Sequence, residues 1–269
     1  MELALSLSPR NFSPPLQITS LVTSSGASIG VVRDDLLIGG TKQRACAPFL
    51  ETLLSQGHEH FVYASPFAGF AQVALAYVSS ELGTRCTLIC EKDQRFPTKF
   101  QKHPFTQLAE SFGARIVLVN DLDEAEAFAQ RLSDQGLMKI PLGFNCPEFK
   151  TELAREVERA WIQIRSMRPG IKRLWLPIGS GTLLSTFKEV IPSRIQLMGV
   201  NVRVLSDEDH RIEALRRDPA VKFFQCPLRF HEEAQNLPAI PSNLFYDAKI
   251  WALLNEHGQE GDLWWNVAR

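Results

Sequence analysis

Two segments of the chain place reactive residue types where another molecule could reach them. The first reads Arg33-Asp34-Asp35-Leu36-Leu37-Ile38-Gly39-Gly40-Thr41-Lys42-Gln43-Arg44. Its lysine follows a Gly-Gly turn and opens an amphipathic helix, so the amine sits where the backbone is open and close approach is possible. A lysine amine so placed can act as a covalent catalyst by forming a Schiff base with a carbonyl. Taken alone, Lys42 fits a solvated lysine at a helix start better. The second segment reads Leu176-Pro177-Ile178-Gly179-Ser180-Gly181-Thr182-Leu183-Leu184. An apolar strand runs into Gly-Ser-Gly-Thr and then into a helix. Free N–H groups, the positive end of the helix dipole and two hydroxyls then converge on one spot, which suits an anion. The pattern is neither the dinucleotide GxGxxG nor a Walker loop, so a phosphate monoester fits better than a nucleotide tail. A purely structural tight turn accounts for this segment equally well by itself.

Together the two segments say more than either does alone. An imine-forming lysine and a compact phosphate cradle in a parallel α/β protein point to pyridoxal phosphate. The elements that must position them are legible as apolar runs alternating with amphipathic stretches. Strands are expected at residues 61–64, 86–90, 115–119, 173–177, 195–204, 221–224 and 263–267. These runs are apolar throughout, as strands buried on both faces are. Helices are expected at 71–82, 104–112, 123–134, 147–167 and 243–257, several of them stopped by a following glycine. Strand, helix and strand with short connections mean βαβ units and mostly parallel sheet. The stretch from Gln225 to Pro241 fits neither period and is a candidate active-site lid.

Composition excludes several classes. The chain has 269 residues, 45% of them hydrophobic and 22% charged, which is ordinary globular composition with enough length for a large core. Basic and acidic residues number 29 and 30, so no global charge drives it toward nucleic acid or anionic membrane. The five cysteines show no CxxC pair and no metal-type spacing, which fits reduced thiols in a cytoplasmic protein and no metal site. The longest mostly apolar stretch, Phe67 to Val78, is too short to span a bilayer, and no membrane partner is expected. The first residues carry no basic region ahead of an apolar one and are read as an irregular entry segment.

The order of these pieces resembles the fold-type-II pyridoxal-phosphate enzymes, and within them the D-cysteine desulfhydrase and aminocyclopropane-carboxylate deaminase branch. The resemblance rests on Arg33-Asp34-Asp35, Gly39-Gly40-Thr41-Lys42-Gln43-Arg44, the stretch Ser65 to Gly83, Gly179-Ser180-Gly181-Thr182 and Phe245-Tyr246-Asp247-Ala248-Lys249. It covers the chain from about Arg33 onward. It implies a two-lobed α/β fold like the tryptophan synthase β chain, with mostly parallel sheets. The larger, cofactor-binding lobe would comprise residues 1–42 and 146–269, and the smaller lobe residues 43–145. It also implies that Lys42 forms the Schiff base with pyridoxal 5′-phosphate, that Gly179, Ser180, Gly181 and Thr182 hold its phosphate, and that Tyr246 is an active-site tyrosine. Relatives are commonly dimers, so a homodimer is one expectation.

The departures carry information too. Where the family has Ser-Asn-His or Gly-Asn-His before its second helix, this chain has Ser65-Pro66-Phe67-Ala68-Gly69-Phe70-Ala71, with phenylalanine at the asparagine position. Ser65, Phe67, Gly69 and Phe70 then form the substrate loop, with a weakened polar grip on a carboxylate. Asn266 is the candidate for the group near the pyridine nitrogen.

An apolar loop would desolvate a substrate carboxylate, and losing carbon dioxide relieves that cost. The favoured expectation is therefore a lyase that decarboxylates an amino-acid-like substrate at Cα. Lys42 would serve as base or acid there, and Tyr246, His231 or His103 as proton donor. The clamp-poor form also resembles phage-encoded enzymes of thymine hypermodification, which implies modified DNA as partner and the host cytoplasm as location. Arg165, Arg168, Lys172, Arg173, Arg211, Arg216 and Arg217 are the candidate phosphate contacts. Two alternatives stand beside this reading: a deaminase or desulfhydrase on a small free amino acid, and a non-catalytic protein that keeps the fold for binding.

Overall fold

The structure is a computed structural model that describes residues 11–95 and 102–269. Most of the irregular entry segment expected at the N-terminus lies outside those residues. The chain builds two sheets. The larger has six strands: β1 (Ile18–Val22), β2 (Ser28–Arg33), β7 (Arg173–Ile178), β8 (Gln196–Asn201), β9 (Val221–Gln225) and β10 (Asp262–Asn266), in the order β1-β2-β10-β7-β8-β9. The smaller contains β3 (His60–Ser65), β4 (Arg85–Glu91), β5 (Arg115–Val119) and β6 (Met138–Ile140), in the order β5-β4-β3-β6. Every pairing is parallel except β1 with β2.

Burial follows position in the sheet. All five residues of β10 are buried, as a strand flanked by β2 and β7 requires, whereas the edge strands β1, β5 and β9 are partly exposed. Helices cover both sheets: α1 (Gly40–Ser55), α2 (Ala71–Glu81), α3 (Pro104–Ser111), α4 (Leu122–Asp134), α5 (Pro147–Met167), α6 (Thr182–Val190), α7 (His210–Arg217) and α8 (Asp247–His257). Helix α1 packs against both α2 and α5, so one apolar core runs from Phe61 and Leu88 of the smaller sheet to Leu176 and Trp265 of the larger. A second cluster, built on Trp175, Trp264, Ile250 and Leu254, packs α8 onto the opposite face of the six-stranded sheet.

Several elements differ from expectation. Strand β1 mixes Thr19 and Ser20 with apolar residues because it is an antiparallel edge with one face in solvent, and its partner β2 is buried over the short run Ile29 to Val32. Helix α7 buries only Ile212 and Leu215, too little for a clear period. Strand β8 stops at Asn201 instead of running to Val204, since the Asn201 carboxamide oxygen accepts the Arg203 N–H and Arg203 takes φ +64°. Helix α8 begins at Asp247 rather than Asn243, because Asn243 folds its carboxamide onto the Phe245 N–H and holds a turn there.

Candidate active site

Parallel sheets present their ligand sites at the carboxyl ends of the strands. That rule locates the cleft here. Lys42 follows β2, Gly69 and Phe70 follow β3, Leu142 and Gly143 follow β6, Gly179 to Leu183 follow β7, Val204 follows β8, and Val267 and Ala268 follow β10. All line one cleft.

Lys42 lies in the first turn of α1, half-buried, with no hydrogen-bond or ion-pair partner among the described residues. Burial lowers its pKa from 10.5 to about 8, partly opposed by the attraction of Asp247. The turn that delivers it depends on glycine. Gly40 has φ +63°, and a Cβ there would lie 2.4 Å from the Val267 carbonyl oxygen, the same atom that accepts the Thr41 N–H at 3.0 Å. The flanking residues are fixed by Asp34, which is fully buried. Its carboxylate accepts hydrogen bonds from Thr41 Oγ1 at 2.8 Å, Trp265 Nε1 at 2.9 Å and Arg44 Nη2 at 2.7 Å. Neighbouring Asp35 forms a bidentate pair with Arg33, both contacts at 2.7 Å.

The second half of the cleft is the loop after β7. Gly181 takes φ +83° as the cap of α6, and Ser180 Oγ lies 3.0 Å from Thr182 Oγ1. Gly179 has no side chain because Tyr246 occupies that space: a Cβ there would meet Tyr246 Cε1 at 2.9 Å. Tyr246 is packed edge to face against Phe230 at 5.3 Å, and burial raises its hydroxyl pKa well above the usual range. The loop is thus a backbone cradle walled by an aromatic ring, with hydroxyls and a helix N-terminus facing the cleft.

The residues of the expected substrate loop separate. Gly69 and Phe70 line the cleft, Phe70 as the cap of α2 and edge to face with Phe105 at 4.9 Å. Ser65 and Phe67 do not line it. Ser65 is buried and donates to the Pro66 carbonyl, while Phe67 joins an apolar cluster with Phe230, Phe245 and His103. Asn266 is also absent from the cleft wall, with its amide donating to the Pro241 carbonyl at 2.8 Å. Neither histidine reaches the cleft. His103 accepts the Phe105 N–H and is pushed down to about 4 by burial, and His231 is exposed.

Asp247 carries no role in the expected motif Phe245-Tyr246-Asp247-Ala248-Lys249. It is fully buried, lines the cleft, and accepts the N–H groups of Val267 at 2.8 Å and Ala268 at 3.2 Å. Burial raises its pKa well above that of a free carboxyl. Its position beside Tyr246 at the head of α8 gives no periodic or compositional signal. Among the residues that line the cleft, Lys42 is the amine and Asp247 the carboxyl.

The candidate lid between Gln225 and Pro241 has no regular element beyond Gln225, which ends β9. It is tied down by Lys249, whose amine donates to the carbonyls of Arg229 at 2.7 Å and Phe230 at 3.2 Å, and by an Arg95–Glu233 ion pair at 2.5 Å. Among the described residues, no helix is long and apolar enough to cross a membrane and no group of three or more His, Cys, Asp and Glu could hold a metal ion.

No protein-family model matches the sequence, and no curated protein matches it. Solved structures do. An ACC deaminase homologue superposes with TM-score 0.73 at 18% identity, over 96% of this chain and 90% of that one. O-ureido-L-serine synthase gives 0.69 at 12% identity, over 96% and 89%. Diaminopropionate ammonia lyase from Escherichia coli gives 0.65 at 14% identity, over 98% and 84%. At such identities the likeness establishes the fold, which is the fold-type-II α/β architecture with mostly parallel sheets.

Proposed function

We propose that this protein is a pyridoxal-phosphate-dependent lyase that acts at Cα of a small free amino acid and removes its amino group. The observation that carries the reading is one cleft holding both an unpartnered lysine amine and a glycine-rich anion cradle. The residues present fit the cofactor. The loop from Gly179 to Thr182 supplies backbone donors, two hydroxyls and room where side chains are missing. Lys42 supplies a primary amine free of hydrogen bonds, and Asp247 a buried carboxyl that a cationic group in the cleft would hold ionised.

When bound, the cofactor supplies an electron sink for negative charge developing at the carbon that bears the amine. The chain's own groups supply the rest. An amine with a pKa of about 8 is partly free base near neutral pH, so Lys42 can take or return a proton at Cα. Tyr246 keeps its hydroxyl proton at any working pH and can donate it. Phe70 and Leu142 keep the wall apolar and exclude water. Helix α2 begins at that wall with no side-chain cap, leaving its first N–H groups and its dipole for a substrate carboxylate.

This last feature favours deamination over the decarboxylation expected from sequence. That expectation needs two phenylalanines pressed on the carboxylate, and Phe67 is committed elsewhere. Two of the structural neighbours are named for removing an amino group. A free substrate is favoured over a DNA-linked one by the charges beyond the cleft. The groove that shares Leu142 and Val204 with it carries Asp121, Asp123, Glu126 and Asp209, against only Lys139 and Arg211. Both cations are paired with acids at 2.7 Å. Arg173, Arg216 and Arg217 are likewise paired, with Asp262, Asp207 and Glu213. A polyphosphate would meet a net negative approach.

The test is reconstitution of the purified chain with pyridoxal phosphate. A visible absorbance band that Lys42→Ala abolishes, with ammonia and a keto acid as products from small amino acids, is expected. Carbon dioxide release would revive decarboxylation, activity only on modified DNA would revive the polymer substrate, and a protein that binds the cofactor without turnover would be a binding protein.

A further inference from the structure

The cradle after β7 belongs to the larger sheet, yet the smaller sheet touches it at one point. The turn after β6 brings Gly143 against Ser180, so closely that a Cβ on Gly143 would lie 1.8 Å from Ser180 Oγ and 3.4 Å from Thr182 Oγ1. Two consecutive residues adopt the left-handed region to make that approach, Gly143 at φ +68° and Phe144 at φ +60°. For phenylalanine this conformation is unfavourable and persists only where packing over-determines it. The packing is present: Phe144 is held edge to face by Phe149 at 4.8 Å and by Tyr63 at 5.5 Å.

Tyr63, in the middle of β3, completes the arrangement. Its ring is 1% exposed and its hydroxyl oxygen accepts the Gly143 N–H at 3.2 Å. That bond uses one lone pair. The hydroxyl proton has no acceptor among the described residues, although Tyr63 lines the cleft. A buried donor without a partner is costly, and an anion beside it removes the cost. Gly143, to which that hydroxyl is bonded, abuts Ser180 of the cradle.

We propose that Tyr63 is a further ligand of the cofactor phosphate, donating its hydroxyl proton to a phosphoryl oxygen from the smaller sheet. This rests on the cofactor assignment above. It makes the phosphate site a joint between the two sheets, with Gly143 as the spacer that sets the separation. Burial keeps the phenol protonated, so the donor is present at every working pH.

The experiment compares pyridoxal phosphate with pyridoxal, which lacks the phosphate, by titrating the unloaded wild type and Tyr63→Phe. The phenylalanine ring keeps the contact with Phe144. The expected result is an affinity for pyridoxal phosphate lowered about tenfold in Tyr63→Phe, with affinity for pyridoxal within about twofold of wild type. An equal loss for both ligands, or a loss for neither, overturns the proposal. A wild type that binds neither ligand overturns the cofactor assignment instead. Should the variant not fold, the three tyrosines of the wild-type chain can be replaced by 3-fluorotyrosine and observed by fluorine NMR. Inorganic phosphate should then shift the Tyr63 resonance, and a Tyr63 resonance that does not move overturns the proposal.

Discussion

The Thr41 hydroxyl donates to the Asp34 carboxylate at 2.8 Å, and this bond fastens the residue beside Lys42 to the end of β2. The same carboxylate holds Arg44 and the Trp265 indole, so one buried acid joins α1 to the central strand β10. Removing it strands a guanidinium that is only 6% exposed. Asp34→Ala should lower unfolding stability by about 3–5 kcal/mol, as when one partner of a buried pair is lost. Asp34→Asn should cost less, because it retains acceptors for Thr41 and Trp265. Urea denaturation monitored by tryptophan fluorescence measures both.

Lys42 is predicted to burden the fold in a pH-dependent way. Its pKa is about 8 in the folded chain against 10.5 in the free side chain, so the unfolded state holds the proton more tightly. Below pH 8 both states are protonated and the folded state carries the full cost of a desolvated charge. The cost shrinks as pH rises from 8 and is gone above about 10.5. Lys42→Met should therefore raise the Tm of the cofactor-free protein at pH 7, with the advantage fading across that interval. An advantage independent of pH would show that packing, not charge, is responsible.

Phe67 and Phe70 are separated by two residues in sequence and should behave differently. Phe67 is 6% exposed within its aromatic cluster, so Phe67→Ala should cost about 3–5 kcal/mol of stability and leave the preference among substrates unchanged. Phe70 lines the cleft, so Phe70→Ala should change the relative kcat/KM for substrates of different side-chain size at a smaller cost in stability. The reverse pattern in steady-state kinetics and thermal melts would refute the assignment of the cleft wall.

Lys249 should act as the fastener of the irregular segment at residues 226–241. Its amine satisfies two carbonyls, and the Phe230 it holds packs on Tyr246. Lys249→Met leaves those carbonyls without their charged donor. Amide hydrogen exchange in the segment should quicken by about tenfold or more, while exchange in the body of α8 stays unchanged. If α8 quickens equally, the lysine supports the helix and not the segment.

Much of the architecture was legible because buried parallel strands write themselves as unbroken apolar runs. Arg115 to Val119 and Pro147 to Met167 form with the expected bounds. Strand β1 and helix α7 were not legible, since each buries too little to impose a period, and β2 is buried but offers only the short run Ile29 to Val32. Within the site, Lys42 and the Gly179–Thr182 loop carried a signal because glycine beside a reactive group is uncommon in regular structure. Asp247 and Tyr63 carried none: an acid at a helix start and a tyrosine in a strand are ordinary until the fold turns them toward a common cavity. Asn266 and Phe67 were misplaced for the converse reason. Neighbouring positions along a chain alternate between cleft and core, and sequence alone does not tell which of Phe67 and Phe70, or of Asn266 and Val267, faces inward.

The place of β10 between β2 and β7 has a consequence for biosynthesis. The segment bearing Lys42 and the segment bearing the anion cradle leave the ribosome well before residues 262–266, yet those residues form the seam between them. A nascent chain can therefore fold the four-stranded sheet early, while the larger sheet stays split in two until its middle strand arrives. Completion of the cleft then waits on that strand, and an unfinished chain would expose its split sheet to chaperones or proteases.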